Sequence, residues 1–271
     1  MKPPVFSCCQ FCGASPESGK RLTKTHIWPH WINNILELHP TCDVISIDRS
    51  NPKNPTIQEK KRHQDIFTIQ PRMTCKSCNE GWMNDIEQNV LNYLKPIISN
   101  NWPASLSPEQ ASNLSLWLAL ICMNAELASP LSNTITQNDR DHLRKTGTLP
   151  SRGWSIIIGK NEGVFWRKRK GYHNYPSLDS GIHRGLSQSK NHISYDKQIT
   201  TFGIGSLFAQ VVNGRDLSFS DYHSFHAKRL GFGVIFPSQR NSPLLTEHLP
   251  VLTDEQINFL NSQEPWFSKI Y

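Results

Sequence analysis

Apolar residues return every three or four positions after Glu80. Trp82, Met83, Ile86, Val90 and Leu94 fall on one helical face. The spacing predicts a helix from about Glu80 to Leu94, stopped by Pro96, which lacks an N–H and crowds the preceding turn. A second helix has a clear start. Ser107 suits an N-cap, Pro108 fits the first turn, and Gln110 completes a capping box. It runs through Leu114, Trp117, Leu118, Ile121 and Cys122 to Ala128, ahead of Pro130. Its centre is apolar nearly all round, which predicts burial.

Further on the pattern changes to β-branched and aromatic runs bounded by Gly and Asn. Strands are predicted at Trp154 to Ile158, Val164 to Lys168, Phe202 to Val212 and Gly231 to Phe236. A last helix starts at Thr253, with Gln256 as its capping partner, and carries Ile257, Phe259 and Leu260. Residues 39–63 are rich in Pro, Asn, Asp, Lys and Arg, with Val44, Ile45 and Ile47 as the main large apolar residues. They predict an exposed insertion. The expected fold class is α+β. Residues 1–98 form an N-terminal module, and residues 99–271 supply a helix and a C-terminal α+β domain whose strand order the sequence leaves open.

Composition narrows the classes. The 271 residues suffice for a substantial core. The longest apolar run, Leu116 to Met123, is too short to span a bilayer, and no apolar stretch follows Lys2. A cytoplasmic chain with no membrane partner is expected. The net charge of +7 favours polyanions. Two basic runs, Lys60-Lys61-Arg62-His63 and Arg167-Lys168-Arg169-Lys170, are candidate phosphate contacts, although such runs are often solvated surface.

Four of the seven cysteines form two C-x-x-C pairs, Cys9/Cys12 and Cys75/Cys78. In a reducing compartment such pairs read as metal ligands rather than disulfides. Each knuckle presents two sulfurs from a tight turn, and two knuckles close a tetrahedral zinc site with no open position, so this zinc is structural. Cys8 competes with Cys9 as a ligand, Cys122 reads as a small core residue, and Cys42 has no assigned role.

Three motifs occur in order: the first knuckle, Lys24-Thr25-His26-Ile27-Trp28-Pro29, and Cys75-x-x-Cys78-Asn79. Together they resemble the zinc-stabilised HNH endonucleases. The stretch Cys78-Asn79-Glu80-Gly81-Trp82-Met83, with Glu87 beyond it, resembles a group of bacterial HNH-type proteins carrying Cys-Asn-x-Gly-Trp-Met. The resemblance covers residues 9–87, and loosely 114–128. It implies a treble-clef, or ββα-metal, module and metal-dependent hydrolysis of DNA phosphodiesters. His26 would be the general base. Asn79 would be a carbonyl-oxygen ligand of Mg²⁺ or Mn²⁺. Thr25 stands where the family has Asp or Glu. Glu87, read as lying on the same helix as Asn79, is a replacement carboxylate, with Glu80 and Asp85 as others. Gln70 is the nearest amide to serve as the family's middle Asn.

His30 reads as a partly buried polar residue or as a second proton-transfer or phosphate-binding group. Trp28, Trp31 and Trp82 read as a small core around the zinc rather than as base-stacking residues. His223 and His226 have no constellation around them. The expected function is an endonuclease preferring DNA to RNA, with defence against mobile DNA as a role by analogy with the fold. The competing expectation is a nucleic-acid-binding protein that has lost catalysis at Thr25. The C-terminal domain is the expected site of any protein partner or self-association.

Overall fold

The computed structural model describes residues 5–36, 42–48, 56–64, 70–128, 134–164, 172–177, 197–214, 217–237 and 241–260. The first half runs β1 (Leu22–Lys24), α1 (His30–Leu36), β2 (Cys42–Asp48), β3 (Thr56–Gln64), β4 (Arg72–Cys75), α2 (Lys76–Asn79), α3 (Trp82–Ile98), β5 (Ser105–Leu106) and α4 (Pro108–Ala128). The second half runs α5 (Gln137–Thr146), β6 (Trp154–Asn161), β7 (Tyr172–Ser177), β8 (Lys197–Ile204), β9 (Leu207–Gly214), α6 (Leu217–Arg229), β10 (Gly233–Phe236), β11 (Leu244–Leu245), β12 (Val251–Leu252) and α7 (Asp254–Leu260). The fold is α+β.

The central sheet has the antiparallel order β10-β6-β9-β8-β7, and β12 adds in parallel to the end of β6. Strand β9 is buried throughout, because both faces of the sheet are covered. Alternation along the strands sorts the side chains into two layers. Ile156, Ile158, Phe202, Ile204, Ala209 and Val211 join one core with α3, α4 and the N-terminal part. Ile157, Ile199, Phe208 and Val212 join a second core with Ala227 of α6 and Ile257 and Leu260 of α7.

Helix α4 forms the centre of the larger core. Its capping box is made as predicted: Ser107 N donates to Gln110 Oε1 at 2.9 Å, and Gln110 N donates to Ser107 Oγ at 3.1 Å. Caps of this kind contribute about 1 kcal/mol. By length and composition α4 could cross a membrane, yet 72% of its most apolar window is buried inside the fold. That is the behaviour of a core helix. The final helix also carries its predicted cap, with Thr253 N donating to Gln256 Oε1 at 2.9 Å.

The structure corrects several expectations. Pro96 does not end its helix: α3 carries it in the last turn and continues to Ile98. One forfeited backbone hydrogen bond is outweighed because Ile97 and Ile98 are buried, each worth about 1.5–3 kcal/mol. The run from Phe202 to Val212 is two strands, not one, turned at Gly205 and Ser206. Gly205 has φ 54°, and a Cβ there would lie 2.1 Å from the Ile98 carbonyl oxygen. The turn therefore requires glycine. The expected insertion holds a β2–β3 hairpin, with Val44 opposite Lys60. Val164 is not in a strand, and 165–170 fall outside the described residues. Helix α5 carries no apolar period that would mark it in the sequence, since it is almost wholly polar. Its Thr136/Asp139 capping box and Gly147 C-cap at φ 65° were the available signals.

Candidate functional site

Strands β1 and β4 pair antiparallel, with Leu22 opposite Cys75, and bring the two knuckles together. In the first knuckle Gly13 N donates to Cys9 O and Cys9 N to Ala14 O, both at 2.8 Å, with Gly13 at φ 70°. In the second, Cys75 ends β4 and caps α2, which carries Cys78. Gln10 N donates to Met73 O at 2.9 Å and ties one knuckle to the strand that leads into the other. All four sulfurs lie within 4.8 Å of one another, a cluster that could hold a metal ion. The cysteines are buried apart from half-buried Cys12. Helix α5 braces the first knuckle: Arg140 Nε donates to Gln10 O at 3.1 Å, and Arg144 Nε to Phe11 O at 3.0 Å.

The electrostatics favour a bound cation. Burial pushes the Cys78 and Cys12 thiols up. Burial acts the same way on Cys75, but hydrogen bonds from Ser77, the Cys78 backbone and the neighbouring cysteines outweigh it and hold that thiol at about 6. Four sulfurs this close cannot all ionise unless a positive charge sits between them. The Trp82 indole also favours the Cys78 thiolate. Four thiolates in a closed cluster are compatible with structural zinc.

Beside the cluster lies a cavity of about 290 Å³, lined by His26, His30, Asn79, Asn84, Glu87 and Asn124 among others. His26 is half-buried and lies two residues past the end of β1. Its Nδ1 lies 3.3 Å from Gln70 Nε2. As placed, the amide donates and the ring proton sits on Nε2. Turning the amide by 180° makes its oxygen the acceptor of Nδ1–H and leaves Nε2 with the lone pair. The His26 and His30 rings meet edge to face with centroids 4.0 Å apart. Asn79 Nδ2 donates to Lys24 O at 3.4 Å. Glu87 Oε1 accepts from Trp31 Nε1 at 2.9 Å. Burial raises the Glu87 carboxyl above its ordinary range, and the Trp31 bond offsets part of that.

Asn79 and Glu87 reach the cavity from different helices, which corrects the expectation of one shared helix. Asn79 ends α2, and Glu87 is in α3. The chain breaks at Glu80 and Gly81. A Cβ on Gly81 would lie 2.5 Å from Ser77 O, so the sharp junction requires glycine. Thr25 is 1% exposed and its hydroxyl is hydrogen-bonded to that of Thr74. Glu80 is paired with Lys76 at 3.6 Å in solvent, and neither Glu80 nor Asp85 lines the cavity.

The inner wall comes from α4: Trp117, Leu120, Ile121 and Asn124. These positions are spaced for one helical face, but the sequence shows them only as core. Trp28 is buried as expected, yet it packs edge to face on Phe202 of the central sheet, centroids 5.6 Å apart. Trp82 packs on Phe11 at 5.5 Å, beside the cluster. Lys60, Lys61 and Arg62 lie along β3, where only the backbone is described. Arg167, Lys168, Arg169 and Lys170 lie outside the described residues.

Comparison with protein-family models, with curated proteins and with solved structures gave no match.

Proposed function

We propose that the chain is a metal-dependent HNH-type endonuclease acting on DNA, its treble-clef module held together by zinc on Cys9, Cys12, Cys75 and Cys78. One observation carries this reading. His26, Asn79 and Glu87, which the HNH resemblance singles out for chemistry, come from the segment after β1, from α2 and from α3, and line one cavity beside the cysteine cluster. In this reading the Gln70 amide is turned so that its oxygen accepts Nδ1–H and holds the ring, and His26 accepts the proton of the attacking water through Nε2. Asn79, anchored through Nδ2, offers its carbonyl oxygen to a divalent ion, with Glu87 nearby. That ion, when bound, supplies charge stabilisation at the phosphate and the leaving oxygen.

Plasmid cleavage with added divalent metal tests the proposal. His26→Ala should lower the rate by about 10²–10⁴-fold, with zinc content and DNA affinity near wild type. Equal cleavage by wild type and variant would exclude His26 as the base. A second reading, a nucleic-acid-binding protein without catalysis, draws on one observation: Thr25 is buried against Thr74, so no carboxylate stands just before His26. Salt-dependent DNA binding with no cleavage under any divalent metal would favour it.

A further inference from the structure

The ladder that joins the two knuckles ends in a pair of like charges. Its register shifts between Thr23 and Lys24, and the shift sets Lys24 of β1 opposite Arg72 of β4. Both side chains are exposed. Residues paired in this way have Cβ atoms roughly 4.5–5.5 Å apart, and like charges so placed destabilise a ladder. No carboxylate offsets them. Among the described residues neither Lys24 nor Arg72, nor Lys20 and Arg21 just before β1, makes an ion pair. Arg72 is nevertheless held in place, with Nη1 donating to Leu22 O at 3.1 Å. The rest of its guanidinium fork has no protein partner among the described residues. The same end of the ladder borders the cavity: Lys24 O accepts from Asn79 Nδ2 at 3.4 Å, and Asn79 lines that space. His26 follows Lys24 by two residues, about 7 Å of extended chain.

We propose that Lys24 and Arg72 form a clamp for the sugar-phosphate backbone of nucleic acid, gripping phosphates beside the one presented to His26. This inference rests on the nucleic-acid reading of the cavity and assigns its phosphate contacts to the β1–β4 ribbon rather than to the two basic runs of the sequence. A bound phosphate relieves the repulsion between the two cations. The anchored guanidinium offers a fork that matches phosphate oxygens, and Lys24 adds a point charge on a flexible stem. An exposed pair on a ribbon does not enclose a small anion. It suits an extended polyanion that lies across it, where each neutralised phosphate releases counterions.

The probe is a short DNA duplex, titrated at several salt concentrations into zinc-loaded full-length protein with no other divalent metal, so that binding is read without cleavage. Lys24→Gln and Arg72→Gln should each reduce the slope of log affinity against log salt by about 0.9, and the affinity about tenfold at about 0.1 M salt. Arg72→Lys keeps the charge and should keep the slope, which a purely structural role through Leu22 O would not predict. Lys228→Gln makes the same charge change on α6, over the second core, and should alter neither quantity. Without DNA, Lys24→Gln should melt no lower than wild type, because it removes a like-charge contact. No DNA binding by wild type, an unchanged slope in both Gln variants, or an equal loss in Lys228→Gln would overturn the clamp. Slope losses at Lys24 and Arg72 in a protein that never cuts DNA would sink the nuclease reading and leave the clamp standing. Cleavage that depends on His26, with a salt slope indifferent to Lys24 and Arg72, would do the reverse.

Discussion

Two polar clusters built around histidine invite comparison. One is the cavity lined by His26, His30, Asn79 and Glu87, with Gln70 against His26 Nδ1. The other lies between the central sheet and α6. There Ser155 Oγ is 2.7 Å from His223 Nδ1 and 2.7 Å from Ser224 Oγ, and His223 Nε2 is 2.9 Å from Gln210 Oε1. Gln210 Nε2 donates to Thr201 Oγ1 at 3.2 Å. On paper a Ser-His-Gln chain resembles a catalytic relay more than the first cluster does. Yet Ser155, His223 and Gln210 are each 0% exposed, and the imidazole has both nitrogens engaged. Nothing can reach it. Burial pushes the His223 pKa down to about 3, so the ring stays neutral and serves as a satisfied core group. His26 is half-buried and lines an open cavity. What separates the two clusters is access, not the conjunction of residue types.

The largest effect that separates the two clusters is loss of the metal. Cys75→Ser should release zinc and unfold the segment that carries His26 and Asn79, because metal binding and folding are coupled. The Ser155–His223–Gln210 network, built on the sheet and α6, should survive. Metal analysis with amide hydrogen exchange checks both halves. Zinc retained by the variant, or protection lost equally in both regions, would break the comparison.

Next comes pH. His223 is held below its ordinary 6.5, at about 3. The unfolded chain therefore binds a proton that the folded chain refuses. Stability is full above pH 6.5 and is lost as pH falls toward 3, with a slope approaching ~1.4 kcal/mol per unit. Glu126 works the other way. It is 3% exposed, and burial raises its carboxyl from 4.5 to about 7, against opposing hydrogen bonds from the Ile135 and Thr134 backbone and the Arg140 charge. Its contribution is full below pH 4.5 and is lost as pH rises through 7. Between pH 4.5 and 6.5 the two slopes oppose each other. Denaturant unfolding should therefore show a flat profile in that window for wild type and a rising one for Glu126→Gln. A flat profile in the variant would remove His223 as a buried neutral group.

The smallest expected effect sharpens the other side. Gln70→Ala removes the partner of His26 Nδ1 without touching the base itself. Cleavage should fall by far less than the ~10²–10⁴-fold assigned to a general base, with stability almost unchanged. His223→Ala should do the opposite, costing about 1–3 kcal/mol by removing the imidazole that bridges Ser155 and Gln210 while leaving cleavage unchanged. Cleavage kinetics beside thermal melts of the two variants would expose a reversal of these roles.

The sequence by itself determined the features whose cause is local. The two C-x-x-C knuckles had to be turns with paired sulfurs, Ser107 and Thr253 had to cap the helices that follow them, and the apolar stretch around Trp117 had to be buried. Each depends on spacing within a few residues, where backbone geometry leaves little choice. Tertiary structure decided the rest. Pro96 stays helical because the core rewards burial of Ile97 and Ile98. Gly205 turns one apparent strand into two because Ile98 crowds it. Thr25 lines the cavity with its hydroxyl tied to Thr74, and Asn124 is brought into the same wall by α4. His223, which has no signature in the sequence, finds Ser155 and Gln210 only when β6, β9 and α6 meet. These outcomes turn on contacts between residues far apart in the chain, and no local period or spacing encodes which distant partner will arrive.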